Sequence, residues 1–92
     1  MQKQISSLQN PTVKKLLQLQ EKSRTRKKEG LFVIEGQREI ELAIKGGFHL
    51  IELHYCLALF SSEALATVLK KIPSDIEVTE LTEEVYQKIA YR

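Results

Sequence analysis

The sequence is poor in the residue types that build most covalent, metal and nucleotide sites. It holds one cysteine, two histidines, four glycines and no tryptophan among 92 residues. A single cysteine excludes an internal disulfide and a multi-cysteine zinc site, and it is typical of a reducing compartment. The glycines form neither a Walker motif nor a dinucleotide-binding motif. We therefore expect no cofactor or metal in this chain, and a cytoplasmic location.

Catalytic constellations are missing as well. His49 and His54 are five residues apart and lack a neighbouring cluster of cysteines or carboxylates, which does not fit a metal site. Cys56 lies in an apolar run without an adjacent base, so a buried core position is the favoured interpretation. We assign no catalytic residue. The apolar runs are too short to cross a bilayer, and the first residues lack the apolar core of a signal peptide.

The charge of the chain is unevenly distributed. Residues 1–30 carry eight Lys or Arg and two Glu, a formal charge of +6, whereas residues 31–92 carry six basic and ten acidic residues, a formal charge of −4. A basic leading third produces a directional field, for which nucleic acid is the commonest polyanionic partner. The alternative is a solvated charged surface. The candidate phosphate contacts are Arg24, Arg26, Lys27 and Lys28, with Lys14 and Lys15 as outer contributors.

The aromatic residues are not interleaved with the basic ones. Phe32 and Phe60 are predicted to lie in the core, and Tyr86 to pack against Leu81 as a hydrophobic staple. This distribution argues against recognition of bases by stacking and favours contacts to phosphates. The remaining candidates for exposed aromatic rings are Phe48, Tyr55 and Tyr91.

Apolar spacing and turn residues predict helices that alternate with strands. Asn10-Pro11 begins a helix that fades over residues 23–28 and is closed by Gly30. The later helices are predicted at Gln37–Lys45, from Ser61 or Ser62, and from Thr82. The strands are predicted at Leu31–Glu35, which lacks alternation and so suggests burial on both faces, and at Leu50–Leu57 and Ile76–Thr79.

This order of elements favours a single α/β domain over residues 1–92. We expect a three-layer α/β/α sandwich with a small, largely parallel or mixed sheet. Three strands make a small sheet, which leaves room for a fourth strand or for one from a partner. Glu35-Gly36 stands at the end of a predicted strand, where α/β folds place ligands. A helix cap by Glu35 with a tight turn at Gly36 is favoured over ligand contact.

An ordered series of residues resembles a known family. The stretch "SSLQNPTVKKLLQLQEKSRTRKKEGLFVIEGQREIELAIKGG" is similar to the N-terminal substrate-binding domain of SpoU-type (TrmH-like) RNA 2′-O-ribose methyltransferases. The segment "LTEEVYQKI" looks like the end of that domain. The matching positions are Ser6 or Ser7, Asn10-Pro11, Lys14, Arg26, Gly30, Phe32 and Glu35-Gly36.

The resemblance implies a ribosomal-protein-like RNA-binding fold that recruits structured rRNA or tRNA. It also implies a separate C-terminal knotted domain that binds S-adenosylmethionine, transfers the methyl group and dimerises. That domain is absent from this chain, so we expect the cofactor and catalytic residues there, a homodimeric full-length enzyme and no membrane association. The alternatives are a free-standing ribosomal-type RNA-binding protein and a protein-interaction module whose basic arm docks an acidic partner or the catalytic domain.

Overall fold

The computed structural model describes residues 3–90, which form five helices and three strands around one small sheet. The strands are all parallel and lie in the order β1-β3-β2, so the predicted α/β class is confirmed. In chain order the elements are β1 (Lys3–Ile5), α1 (Pro11–Glu21), α2 (Ser23–Glu29), α3 (Gln37–Lys45), β2 (Glu52–Tyr55), α4 (Ser62–Leu69), β3 (Glu77–Leu81) and α5 (Glu83–Ala90).

The register of the central strand β3 shows that helices cover both faces of the sheet. Leu81 pairs with Ile5 of β1, and Val78 pairs with Leu53 of β2. Successive side chains of a strand alternate between faces, so Leu81 and Val78 point in opposite directions.

Each face has its own hydrophobic core. In the first core, α1 and α5 pack on the face of the sheet that carries Leu81. In the second, α3 and α4 pack on the face that carries Val78. This arrangement is the expected three-layer α/β/α sandwich. The buried residues of the first core are Ile5, Val13, Leu81, Val85 and Ile89. Those of the second are Leu53, Tyr55, Leu65 and Val68, with Ile40 and Val78 packed against them.

Strand β1 was not predicted, whereas the predicted strand Leu31–Glu35 is wrong. Residues 31–35 form no strand, and Phe32 is 52% exposed. Strand propensity measures fit to a half-buried pleated surface and not an intrinsic backbone preference. Both edges of β3 are already paired, by β1 and β2. The apolar run therefore lies outside the ladder of the described sheet, and its predicted burial on both faces does not occur.

The predicted N-terminal helix is divided into two. Lys22 has φ −120° and ψ 112°, an extended conformation that ends α1 and begins α2. The predicted start is confirmed, because the Asn10 side chain accepts a hydrogen bond from the Thr12 backbone N–H at 2.8 Å. Gly30 closes α2 as predicted, in the left-handed conformation with φ 69°.

Helices α4 and α5 begin at the predicted caps. The Ser61 hydroxyl accepts from the Ala64 N–H at 3.1 Å, and the Thr82 hydroxyl accepts from the Val85 N–H at 3.4 Å. Tyr86 packs against the first core, which contains Leu81, as the predicted staple requires. Tyr55, one of the candidates for exposure, is instead 4% exposed in the second core. Tyr91 lies outside the described residues.

Candidate nucleic-acid interface

Arg26 joins the two basic helices. Its Nη1 donates hydrogen bonds to the backbone carbonyls of Leu19 at 2.7 Å and Gln20 at 3.0 Å. Both carbonyls belong to the last turn of α1, where a helix leaves its acceptors without intrahelical partners. Arg26 is half-buried and caps α1 from α2, which makes it primarily a positioning residue.

The other three cationic side chains of α2 point into solvent. Arg24, Lys27 and Lys28 are exposed, and α2 has no buried residue. Lys27 and Lys28 lie in the last turn of α2, where a positive charge complements the helix dipole. The cap by Arg26 thus fixes a short helix whose outer surface is cationic.

Helix α1 contributes the two outer candidates. Lys14 and Lys15 are exposed, while Val13 and Leu19 on the same helix are buried. Lys15 also lines an open cleft whose wall includes segment 31–35, whereas Lys14 does not. The structure therefore divides the predicted set into three solvent-facing residues on α2, two on α1, and one capping arginine.

The cleft has a volume of about 660 Å³. Its walls include one side of α1, residues 30–37, and residues 48–56 around β2, together with residues of α3, the β2–α4 connection, α4, β3 and α5. Large apolar side chains that are at least half exposed line it, which is unusual for a monomeric surface. These residues are Phe32, Phe48, Ile51 and Leu59, with exposures of 52%, 58%, 53% and 50%.

Phe32 and Phe48 form an aromatic pair that sequence reasoning missed. Their ring centroids are 5.5 Å apart and the ring planes meet at 81°, an edge-to-face arrangement. The prediction that Phe32 lies in the core is wrong because its segment does not join the sheet. Phe60 is half-buried against the second core, close to its prediction. The position of Phe48 directly after Gly46-Gly47 was the available indication of an exposed ring.

Glu35 does not serve as the predicted side-chain cap of α3. The Tyr86 hydroxyl donates a hydrogen bond to Oε2 of Glu35 at 2.5 Å, which ties segment 31–35 to α5. Gly36 is the N-cap residue of α3 and makes no side-chain cap bond. The tight turn at Gly36 is confirmed, since its φ is 105° and an added Cβ would lie 2.5 Å from Oε1 of Glu39.

His54 lies on the cleft wall and has a shifted pKa. Its Nε2 lies 3.5 Å from Oε1 of Glu52. Burial lowers the pKa of His54 below the ordinary value of 6.5, and this effect exceeds the opposite influence of Glu52 and Glu77. His54 is half-buried, His49 is exposed and Cys56 is buried, as predicted. Within residues 3–90 no three metal-binding side chains come together.

We expect His54 to make the fold less stable in acid. Because its pKa is lower in the folded than in the unfolded chain, its contribution is complete above the unfolded value of 6.5 and is lost as the pH falls towards the folded value. His54→Gln should flatten this part of the stability curve. Urea unfolding between about pH 5 and about pH 7.5 measures the effect. His49→Gln, at an exposed position, is the control, and an unaltered curve for His54→Gln would contradict the assignment.

Comparison with known families identifies the domain. A profile of the MRM3-like substrate binding domain matches residues 10–92. The chain belongs to this family. The resemblance to the N-terminal substrate-binding domain of SpoU-type methyltransferases is thereby confirmed, and RNA is the substrate class that membership indicates. No curated protein and no solved structure matches the chain.

The matched span contains all six candidate basic residues. Their individual roles stay a prediction, because the family match assigns none of them. Among the helices of residues 3–90, none has the length and apolar character to cross a membrane.

Proposed function

We propose that this domain holds structured ribosomal or transfer RNA by its phosphates for a 2′-O-ribose methyltransferase. The observation that carries the proposal is the cationic outer surface of α2, where Arg24, Lys27 and Lys28 are exposed on a helix that Arg26 fixes. Arginine binds phosphate through a planar fork of donors, and lysine as a compact point charge. Lys14 and Lys15 extend the cationic surface along α1.

An anchored helix suits this role better than a flexible arm. The helix backbone that carries its three outer charges is fixed before RNA arrives, so less backbone freedom is lost on binding. Phosphate contacts orient the RNA without reading its sequence. In this proposal the domain positions the RNA. Positioning is a large part of catalysis when a ribose hydroxyl must be aligned with a methyl donor.

The proposal assigns methyl transfer and S-adenosylmethionine to a C-terminal knotted domain of a homodimeric, cytoplasmic enzyme. The described residues do not fit the cofactor. The described glycines with positive φ are Gly30, Gly36 and Gly47, and each stands at a different helix end, so they form no common glycine-rich loop. Reading the coding sequence downstream of Arg92 tests for the second domain: a further open frame of domain length supports it, and a stop codon contradicts it.

Salt titrations test the RNA contacts. We expect Arg24→Gln combined with Lys27→Gln and Lys28→Gln to reduce the slope of log affinity against log salt by roughly 0.7–0.9 per lost contact, which is about 2.1–2.7 for three contacts. The measurement is the affinity of the 92-residue chain for a structured ribosomal RNA fragment and for a transfer RNA at several salt concentrations. The RNA that binds more tightly identifies the substrate class.

The chain provides a matched control for that experiment. Arg38, Lys45 and Lys88 are one arginine and two lysines, all exposed and none on the cleft wall. Their replacement by glutamine changes the net charge equally. The proposal requires a much smaller effect on the slope from this control. Equal slopes for the two triple variants would show general electrostatic attraction and overturn the role of α2.

A further inference from the structure

The exposed aromatic pair has no role in phosphate binding. Phe32 and Phe48 are each more than half exposed, and both line the 660 Å³ cleft. Volumes of about 300–1,000 Å³ are typical of sites for small organic groups. The two rings meet edge to face, so each keeps a face that its partner does not cover. Open ring faces are what a planar, aromatic ligand group requires.

The cationic helix α2 ends close in the chain to Phe32 on the cleft wall. Phe32 follows Gly30, the residue that closes α2, by two positions. Phe32 follows Lys28 by four positions, which limits the distance between their Cα atoms to about 14 Å. Lys15 lies on the cleft wall itself. The backbone N–H groups of Gly30 and Leu31 both donate to the Arg26 carbonyl, at 2.9 Å and 3.3 Å, which orders the connection.

We infer that the cleft binds the base of an unpaired nucleotide, stacked on Phe32 and Phe48, while α2 holds the neighbouring phosphates. The inference rests on the proposed function and adds to it the preferred form of RNA: a loop, bulge or end with a free base, and not a continuous duplex. Stacking tolerates every base because each has a π-face, so the site selects for an unpaired base and not for a sequence.

The family match selects RNA as the occupant of this apolar cleft. Exposed aromatic rings that lie close in the chain to a cationic helix match a base joined to phosphates, and Lys15 is the cation on the cleft wall itself. The carboxylates on the cleft wall are Glu35, which accepts the Tyr86 hydrogen bond, and Glu52, which lies beside His54.

The test compares a hairpin RNA carrying 2-aminopurine in its unpaired loop with a fully paired duplex of the same stem. We expect the hairpin to bind more tightly and its fluorescence to be quenched on binding. Phe32→Leu combined with Phe48→Leu keeps apolar bulk but removes both π-faces. This variant should bind the hairpin roughly 5- to 100-fold more weakly, with the duplex affinity and the salt slope unchanged.

Two controls separate stacking from damage to the fold. Phe32→Tyr combined with Phe48→Tyr preserves the rings and should retain the hairpin affinity. Leu42→Ala alters an apolar side chain that is 57% exposed outside the cleft, and it should change nothing. Thermal midpoints close to that of the wild type, expected for exposed positions, show that the variants are folded.

The outcomes distinguish this inference from the proposed function. If the double leucine variant binds the hairpin as tightly as the wild type, the stacking site is overturned. The phosphate contacts of α2 are then unaffected, and protein becomes the occupant to test for the cleft. Equal loss of hairpin and duplex affinity also overturns the stacking site. A salt slope unaffected by the α2 triple variant overturns the proposed function instead.

Discussion

Replacing Leu81 with alanine should lower the free energy of unfolding by about 2–5 kcal/mol. Leu81 is 3% exposed and pairs with Ile5 across the β1–β3 ladder. It lies in the first core with Val13 and Val85, both 0% exposed. The substitution removes apolar contacts and leaves a cavity that these helix residues fill only in part.

The size of this effect is large for so small a domain. A chain of this length has a total stability of about 5–14 kcal/mol, so the variant retains little margin. The measurement is urea unfolding, where the midpoint should fall while the slope with denaturant stays constant. Leu42→Ala, at a position that is 57% exposed, should change the stability by less than about 0.5 kcal/mol. A loss below about 1 kcal/mol for Leu81→Ala would show that the first core is loosely packed.

The helices of this fold were predictable because their ends are encoded locally. Asn10, Ser61 and Thr82 stand directly before apolar-periodic segments, and each accepts the expected backbone hydrogen bond. Capping depends on residues within one turn, so a single sequence contains the information. The α/β class followed from the order of these elements with strands between them.

The strands depended on partners far away in the sequence. Strand β1 has three residues, too few for a recognisable alternation, and its partner β3 begins at Glu77. Residues 31–35 have the composition of a buried strand, yet the sheet is completed by β1 on the edge of β3 that β2 does not occupy. Composition reports the ability to form a strand, whereas pairing is decided by tertiary structure.

The candidate site, like the fold, was predictable from the sequence only in part. Its cations were visible as a charge run, and their contacts with RNA stay a prediction. The cap by Arg26 was not visible, because it depends on the break at Lys22 that turns α2 back towards α1. The Phe32–Phe48 pair was hidden as well, since it brings together two rings sixteen residues apart only when segment 31–35 stays outside the sheet.

Arg26→Gln should lower both the stability and the RNA affinity, through the junction of α1 and α2. Its Nη1 serves two carbonyls of α1, and a hydrogen bond from a charged group contributes about 1.5–3 kcal/mol before solvent exposure is considered. Arg26 is half-buried, so we expect a loss of about 1–2 kcal/mol in urea unfolding. The affinity for RNA should fall by more than the loss of one phosphate contact would cause, because α2, which carries the other charges, is no longer anchored to α1.

Lysine at the same position separates positioning from charge. Arg26→Lys keeps the cation but lacks the planar guanidinium that reaches both carbonyls, so it should lose most of the stability that glutamine loses. Arg24→Lys, at an exposed arginine two residues earlier, should be nearly neutral in urea unfolding. If Arg26 were only a phosphate contact, Arg26→Lys would unfold at the wild-type urea concentration and the two lysine variants would bind RNA alike. A lower unfolding midpoint for Arg26→Lys alone, together with weaker RNA binding, identifies Arg26 as the residue that orders the cationic surface for RNA.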